Sequence, residues 1–275
     1  MSEKFSESTY AFAFTHELLR WVGTSLQAAP VFPSTWEEGQ SGVGYDVMLD
    51  RPGIPLFIQF KLSEYLVQRN AKEAREALKK KVDLHVPYYR IHLMPASRSK
   101  QHEMLIALQI SGNEVRYAAP KFHARKDLDA NFRNHSLLSR SLYVKPLEIG
   151  PLPDAQPHSY AFDAAGNHFF CSDPTLLKAN NEYEVFVSEL EAKLDGGGIQ
   201  DSREVGKALQ GHLAELALSQ IRDPQRDERI GEVWVEAEAK SKAHPLEFCA
   251  SIVHHLAQAS LFWVTRKPPE TSTLP

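Results

Sequence analysis

"GYDVMLDRPGIPLFIQFKLS", Gly44 to Ser63, is the stretch on which the fold turns. Its second half is apolar from Ile54 to Phe60 and reads as a buried strand, yet it ends with Gln59 and Lys61 two residues apart. Successive side chains of a strand point to opposite faces, so Gln59 and Lys61 share the face of Phe57 while Ile58 and Phe60 point the other way. The strand is thus apolar throughout on one face and turns polar at its end on the other. "DRPG" ahead of it is a turn signal, so "VGYDVMLD" and "GIPLFIQFKL" read as a hairpin. With a four-residue loop, Arg51 to Ile54, Asp46 falls opposite Gln59, and Asp46, Gln59 and Lys61 converge on one face. A three-residue loop would instead pair Asp46 with Ile58 and scatter the cluster.

Around this hairpin the chain alternates helix and strand. Residues 8 to 22 carry apolar side chains at helical spacing, closed by Gly23. "APVFPST" reads as another strand, residues 65 to 81 as a charged helix with Lys in its last turns, and "VPYYRIHLMP" as a strand. "SRSKQHEMLIALQ" is a serine-capped helix and "EVRYAAP" a strand. Strands joined first by a hairpin and then through helices predict an α/β sheet with helices on both faces. Lys145 to Ser159 holds four prolines and reads as a connector, dividing residues 1–150 from a C-terminal α+β region, 151–275. That region has a hairpin around "DAAGN", helices from about Thr175 to Leu194 and Ser202 to Ile221, a strand-like "EVWVEAEAK", and an apolar helix running into "SLFWVT".

At 275 residues and 43% hydrophobic, the chain can bury one large core or two modest ones. Two cysteines, Cys171 and Cys249, are too few for a disulfide framework and lack zinc-site spacing, which points to a reducing cytoplasm. The N-terminus "MSEKFSES" is acidic and polar, and no apolar run approaches the about 18 residues of a membrane span. Net charge is −4, but from Lys61 to Lys145 there are 17 Lys plus Arg against 8 Asp plus Glu, a balance of +9 that leaves −13 for the remainder. Such asymmetry suits a basic face for a polyanion; a merely solvated surface is the alternative.

A further acid stands near the cluster. Glu17 has Tyr10, Ala13, Phe14 and Trp21 at helical spacings, so its carboxylate lies on an inward-packing stripe and needs a partner, unless it pairs with Arg20 or reaches solvent. Oxygen donors beside a lysine suit a hard divalent cation such as Mg²⁺. Such a cation would polarise a phosphodiester and acidify water, with Lys61 orienting the water or offsetting transition-state charge.

A helix glutamate, Gly-Tyr-Asp, an apolar strand ending Gln-Phe-Lys, a basic helix and a β-α-β continuation together resemble the PD-(D/E)XK superfamily of restriction-endonuclease-like nucleases. The closest likeness is to the Mrr-like branch, where Gln replaces the second acid. The resemblance spans roughly residues 8 to 120; Tyr45 stands where the family often has proline. It implies a mixed sheet flanked by helices and a Mg²⁺- or Mn²⁺-dependent endonuclease acting on DNA, in bacterial defence. It implies Asp46 and Gln59 as metal ligands, Glu17 as the helix acid and further ligand, and Lys61 as the catalytic lysine. The C-terminal region would then serve recognition, homodimerisation or a partner protein.

Other features carry rival readings. Glu238 and Lys240 form a second ExK, or, on a helix, Glu236 and Lys240 form an ordinary ion pair. His92, Gln101 and His102 lie at strand-to-helix junctions, where a histidine could meet a phosphate, although 12 histidines in one chain favour solvated or core roles. His254 and His255 lie on an apolar helix without metal-ligand spacing. Lys79, Lys80 and Lys81 read as a solvated helix end or as a phosphate contact. No phosphate-binding glycine loop, Gly-x-Ser-x-Gly elbow or Cys-x-x-Cys pair is present, which leaves nucleotide hydrolysis, acyl transfer and zinc chemistry unsupported.

Overall fold

The structure, a computed structural model, describes residues 4–22, 53–68, 72–79, 84–95, 99–163, 166–171, 183–196, 201–220 and 245–265. Asp46, Lys80, Lys81, Glu238, Lys240 and the strands read in "APVFPST", "VGYDVMLD" and "EVWVEAEAK" lie outside these residues.

Helix α1 (Glu7–Val22) opens on Ser6, whose Oγ accepts from Thr9 N at 3.1 Å, an N-cap that satisfies an otherwise orphaned amide. Strand β1 (Gly53–Phe60) is the expected buried strand and lies at the centre of a mixed sheet. On one side it pairs in parallel with β4 (Glu114–Pro120), which pairs in turn with β5 (Ser141–Val144). On its other side it pairs antiparallel with β8 (Ser260–Thr265), close to the C-terminal end of the chain. Both edges of β1 are therefore filled, by β4 over Leu56–Phe60 and by β8 over Gly53–Ile58. The edge assigned to a hairpin partner belongs, over most of the strand, to β8. Close approach explains Gly53: a Cβ there would stand 2.5 Å from the carbonyl oxygen of Val264.

Alternation along β1 is as the sequence implies. Leu56, Ile58 and Phe60 pack with Tyr10, Phe14 and Leu18 of α1, and with Phe186 and Leu190 of the later helix α6 (Tyr183–Asp195). Phe57 faces the opposite core, with Met104 and Leu105 of α3 (Gln101–Ile110), Leu209 and Leu213 of α7 (Ser202–Gln220), and Ile252 and Leu256 of α8 (Pro245–Ala257). The expectation of a mixed sheet flanked by helices on both faces holds.

A second, antiparallel sheet has the order β2 (Glu64–Leu66), β3 (Tyr88–Leu93), β6 (His158–Asp163) and β7 (His168–Phe170). One of its faces contributes Ile91, Tyr160 and Phe162 to the Phe57 core; the other covers Ala77 of α2 (Lys72–Lys79). The charged helix read over 65 to 81 is thus a short strand followed by a shorter helix. "SLFWVT" is a strand rather than the end of a helix, because β1 offers it a free edge. Between β4 and β5 runs α4 (Arg125–Asn134), and the proline-rich connector includes a single turn, α5 (Pro146–Ile149). The expected division at 150 does not separate two cores: β6, β7 and β8 complete both sheets, and the Phe57 core draws on both halves.

Among the described residues no helix is long and apolar enough to cross a membrane.

Candidate functional site

At the carboxyl ends of the parallel strands β1 and β4 the sheet stops being apolar. Lys61 N donates to the carbonyl of Ala118 at 2.9 Å, carrying the parallel ladder one residue past β1 and holding the lysine at the strand end. Open α/β sheets place ligands at this end of their strands. Gln59 is 1% exposed; its Nε2 donates to the carbonyl of Phe60 at 3.2 Å, and its Oε1 is buried without a hydrogen-bond partner. An unmet acceptor in such a place is costly and requires an explanation.

Lys61 reaches α3. Its Nζ donates to Gln101 Oε1 at 3.1 Å, and Gln101 Nε2 donates to Gln258 Oε1 at 2.8 Å. Gln101 is 1% exposed, and Gln258 stands between α8 and β8 at φ 48°, the left-handed region that glycine favours. Gln258 directly follows α8 and its N donates to the His254 carbonyl at 2.8 Å, the left-handed turn that closes many helices. Burial pulls the Lys61 ammonium below its usual range, with the charge of Glu7 in the first turn of α1 working the other way. The lysine is thus held by neutral amides in a partly dry setting, where it yields its proton more readily than an exposed lysine.

The other expected residues divide. Glu17 is buried on the α1 face of the sheet, and its two oxygens accept from Leu137 N at 2.8 Å and Leu138 N at 3.3 Å. Since Gln59 points to the opposite face, Glu17 is a support for the turn before β5 and not a member of the Lys61 cluster. His102 is buried, with Nδ1 2.8 Å from the Tyr117 hydroxyl and Nε2 2.8 Å from the Gly150 carbonyl. A carbonyl only accepts, so Nε2 carries the proton and Nδ1 takes the phenol's. Burial lowers the pKa of this ring. With both nitrogens engaged, His102 ties α3 to β4 rather than meeting a phosphate. His254 is likewise disfavoured as a cation by burial. His92 is at the surface, between Ser159 Oγ at 3.0 Å and Glu64 Oε1 at 3.2 Å. Lys79 is exposed at the end of α2.

At the strand end a divalent cation would meet an oxygen without a hydrogen-bond partner, Gln59 Oε1. There are no three His, Cys, Asp or Glu side chains grouped to hold a metal among those residues. The cluster therefore fits a cation only if a carboxylate joins it from outside them.

A second polar feature lies at the opposite end of β1 and β4. Arg116, 2% exposed, pairs with Glu114 at 2.8 Å and with Glu189, while Lys145 reaches Glu189 at 2.6 Å and Lys193 reaches Glu114 at 2.8 Å. The network joins β4 to α6 and borders a cleft of about 450 Å³ that His212 also lines. Arg116 and Glu114 are the buried pair of this network, and the half-exposed Glu189, Lys145 and Lys193 link it to α6 and the end of β5.

Sequence reasoning located Gln59 and Lys61; it noted Gln101 only as the neighbour of His102, without a role, and did not single out Gln258. Its sole signal was a polar residue between an apolar helix and an apolar strand, "LAQASLF". No family model, curated protein or solved structure matches the chain.

Proposed function

We propose that the chain is a metal-dependent nuclease whose reacting centre is the polar end of β1. The observation that carries this reading is a half-buried lysine, Lys61, two residues along from a buried oxygen with no hydrogen-bond partner, Gln59 Oε1, at the carboxyl end of a parallel strand pair. A strand end that buries an amide with an unmet acceptor and half-buries an ammonium just past it has a use for them beyond packing, since each loses hydration.

Gln59 would hold a cation together with Asp46, and Mg²⁺ or Mn²⁺ bound there would supply charge to polarise a phosphodiester and acidify a water. Lys61 Nζ, tethered to Gln101, would orient that water or donate to the phosphoryl oxygens as negative charge builds on them. Gln258 buttresses Gln101 and so fixes where Nζ sits. The apolar underside of β1 keeps the strand end rigid. The resemblance to the PD-(D/E)XK superfamily supports the same assignment of Asp46, Gln59 and Lys61, and through it DNA as substrate.

A second reading is favoured by the engagement of Glu17 with Leu137 and Leu138: the fold acts as a catalytically silent scaffold that binds nucleic acid or protein. Incubating supercoiled plasmid with Mg²⁺ or Mn²⁺ separates the two. Nicking that Lys61→Ala and Asp46→Ala abolish, with both variants folded, is the expected result. DNA binding without cleavage in either metal would leave only the scaffold.

A further inference from the structure

Beside the strand-end cluster stands an aromatic ladder that the proposed chemistry does not use. Phe162 is fully buried in the core; Tyr89 stacks on it at 5.5 Å and 24°. Tyr65, directly opposite Tyr89 in the β2–β3 register, lies 5.4 Å from it. His123 then stacks on Tyr65 at 4.1 Å and 3°, the two planes nearly parallel. The ladder thus runs from the core to the surface and is anchored at its inner end. Tyr65 is 37% exposed, with Leu62 at 37% and Val67 at 61% on the same short segment, which is a wet, apolar and aromatic surface on a strand at the edge of its sheet.

Its place matters as much as its chemistry. Tyr65 follows Lys61 by one short bend after β1, and His123 follows the end of β4, so the ladder opens at the same end of the parallel strands as Lys61. The segment that follows β4 is basic in sequence: from Lys121 to Arg140 it has Lys121, Arg125, Lys126, Arg133 and Arg140 against Asp127 and Asp129, with Arg125 paired to Asp129 at 3.0 Å; on the other side Glu64, next to Tyr65, is paired with Arg90. Lys121 N donates to the Arg140 carbonyl at 2.9 Å, which places these two basic residues side by side, two positions from His123.

Flat rings anchored in a core and flanked by cations are how proteins hold unpaired bases, because every base has a π-face and every nucleotide a phosphate. A base inside a duplex offers no face, since its neighbours cover both. We propose that the Tyr65–His123 end of the ladder stacks an unpaired base while Lys121 and Arg140 take the adjoining phosphates, so that the polymer presented to Lys61 is DNA with a single-stranded segment. This rests on the nuclease reading for its consequence, though not for the binding itself.

The test measures anisotropy of a labelled oligo(dT) of about 20 nucleotides, a duplex of equal length, and an oligonucleotide of abasic units, each with the full chain in EDTA. The single strand should bind tightest, and the abasic strand should lose about 5- to 100-fold in affinity. Tyr65→Ala and His123→Ala should weaken the single strand by a similar factor and leave the duplex unchanged, with Tyr65→Phe retaining wild-type affinity. A duplex that binds as well as the single strand, or an abasic strand that binds as well as oligo(dT), overturns the stacking site. Those two comparisons use unaltered protein, so they stand even if an alanine variant misfolds. Single-strand preference without cleavage in Mg²⁺ or Mn²⁺ would sink the nuclease reading alone; cleavage without single-strand preference would sink the stacking site alone.

Discussion

Replacing Glu17 by Gln changes one oxygen to an NH₂ and removes a charge, without changing the volume that α1 buries. The carboxylate now accepts from two backbone amides, Leu137 N at 2.8 Å and Leu138 N at 3.3 Å, where solvent scarcely reaches. A hydrogen bond to a charged acceptor contributes about 1.5–3 kcal/mol, and the longer of these two belongs at the bottom of that range. Glutamine can keep its oxygen on Leu137 N, but its amide then faces Leu138 N–H donor to donor. The loss should be about 2–3 kcal/mol, and Glu17→Ala, which orphans both amides, should cost about a further 1 kcal/mol. In a chain of this size each kcal/mol corresponds to about 2–4 °C in Tm, so Glu17→Gln should melt about 4–12 °C lower. Urea unfolding followed by tryptophan fluorescence gives the free energy directly. Cleavage by Glu17→Gln, assayed well below its Tm, should fall no further than its folded fraction. A change in stability within about 0.5 kcal/mol, together with abolished cleavage, would refute the assignment of Glu17 to the turn before β5 and return it to the metal site.

Lys61→Met should raise stability at neutral pH, because it removes a half-buried ammonium that no carboxylate neutralises at hydrogen-bond distance among the described residues. The folded state lowers the Lys61 pKa below its usual 10.5, so the penalty is complete below the folded pKa, where both states hold the proton. It shrinks as pH rises through the window up to 10.5, where the unfolded chain holds more protons, and wild-type stability gains accordingly. The difference between Lys61→Met and wild type should therefore narrow from about pH 7 to about pH 10 in urea unfolding, and a constant difference would contradict the burial of Nζ. Gly206→Ala should separate α7 from α8, since a Cβ there would stand 2.6 Å from Pro245 Cβ and 2.9 Å from Leu246 N. A loss of about 1–3 kcal/mol is expected, with reduced cleavage because α8 leads to Gln258; a neutral variant would show that the two helices are not in the close contact described.

How much of this was legible beforehand depends on how local the physics is. Helix α1 and strand β1 announce themselves, because 3.6- and two-residue periods are properties of a single segment and the Ser6 cap is set by its immediate neighbours. The same pleat places Gln59 and Lys61 on one face whatever surrounds them. Which strand fills the edge of β1 is another matter. The nearby segment before "DRPG" looked sufficient, yet β8 takes Gly53–Ile58 from some 200 residues downstream, and edge pairing depends on which apolar face another part of the chain brings to the core. Glu17 illustrates the same divide: its inward stripe shows that the carboxylate is buried and needs donors, but the backbone amides of Leu137 and Leu138 carry no side-chain signal at all. Gln101 and Gln258 meet across 157 positions, through a left-handed residue that no period predicts. The polarity of the strand end belongs to the sequence, since it is written in residue types; the partners that give Lys61 its place and its lowered pKa exist only where distant backbones are brought together by a shared core.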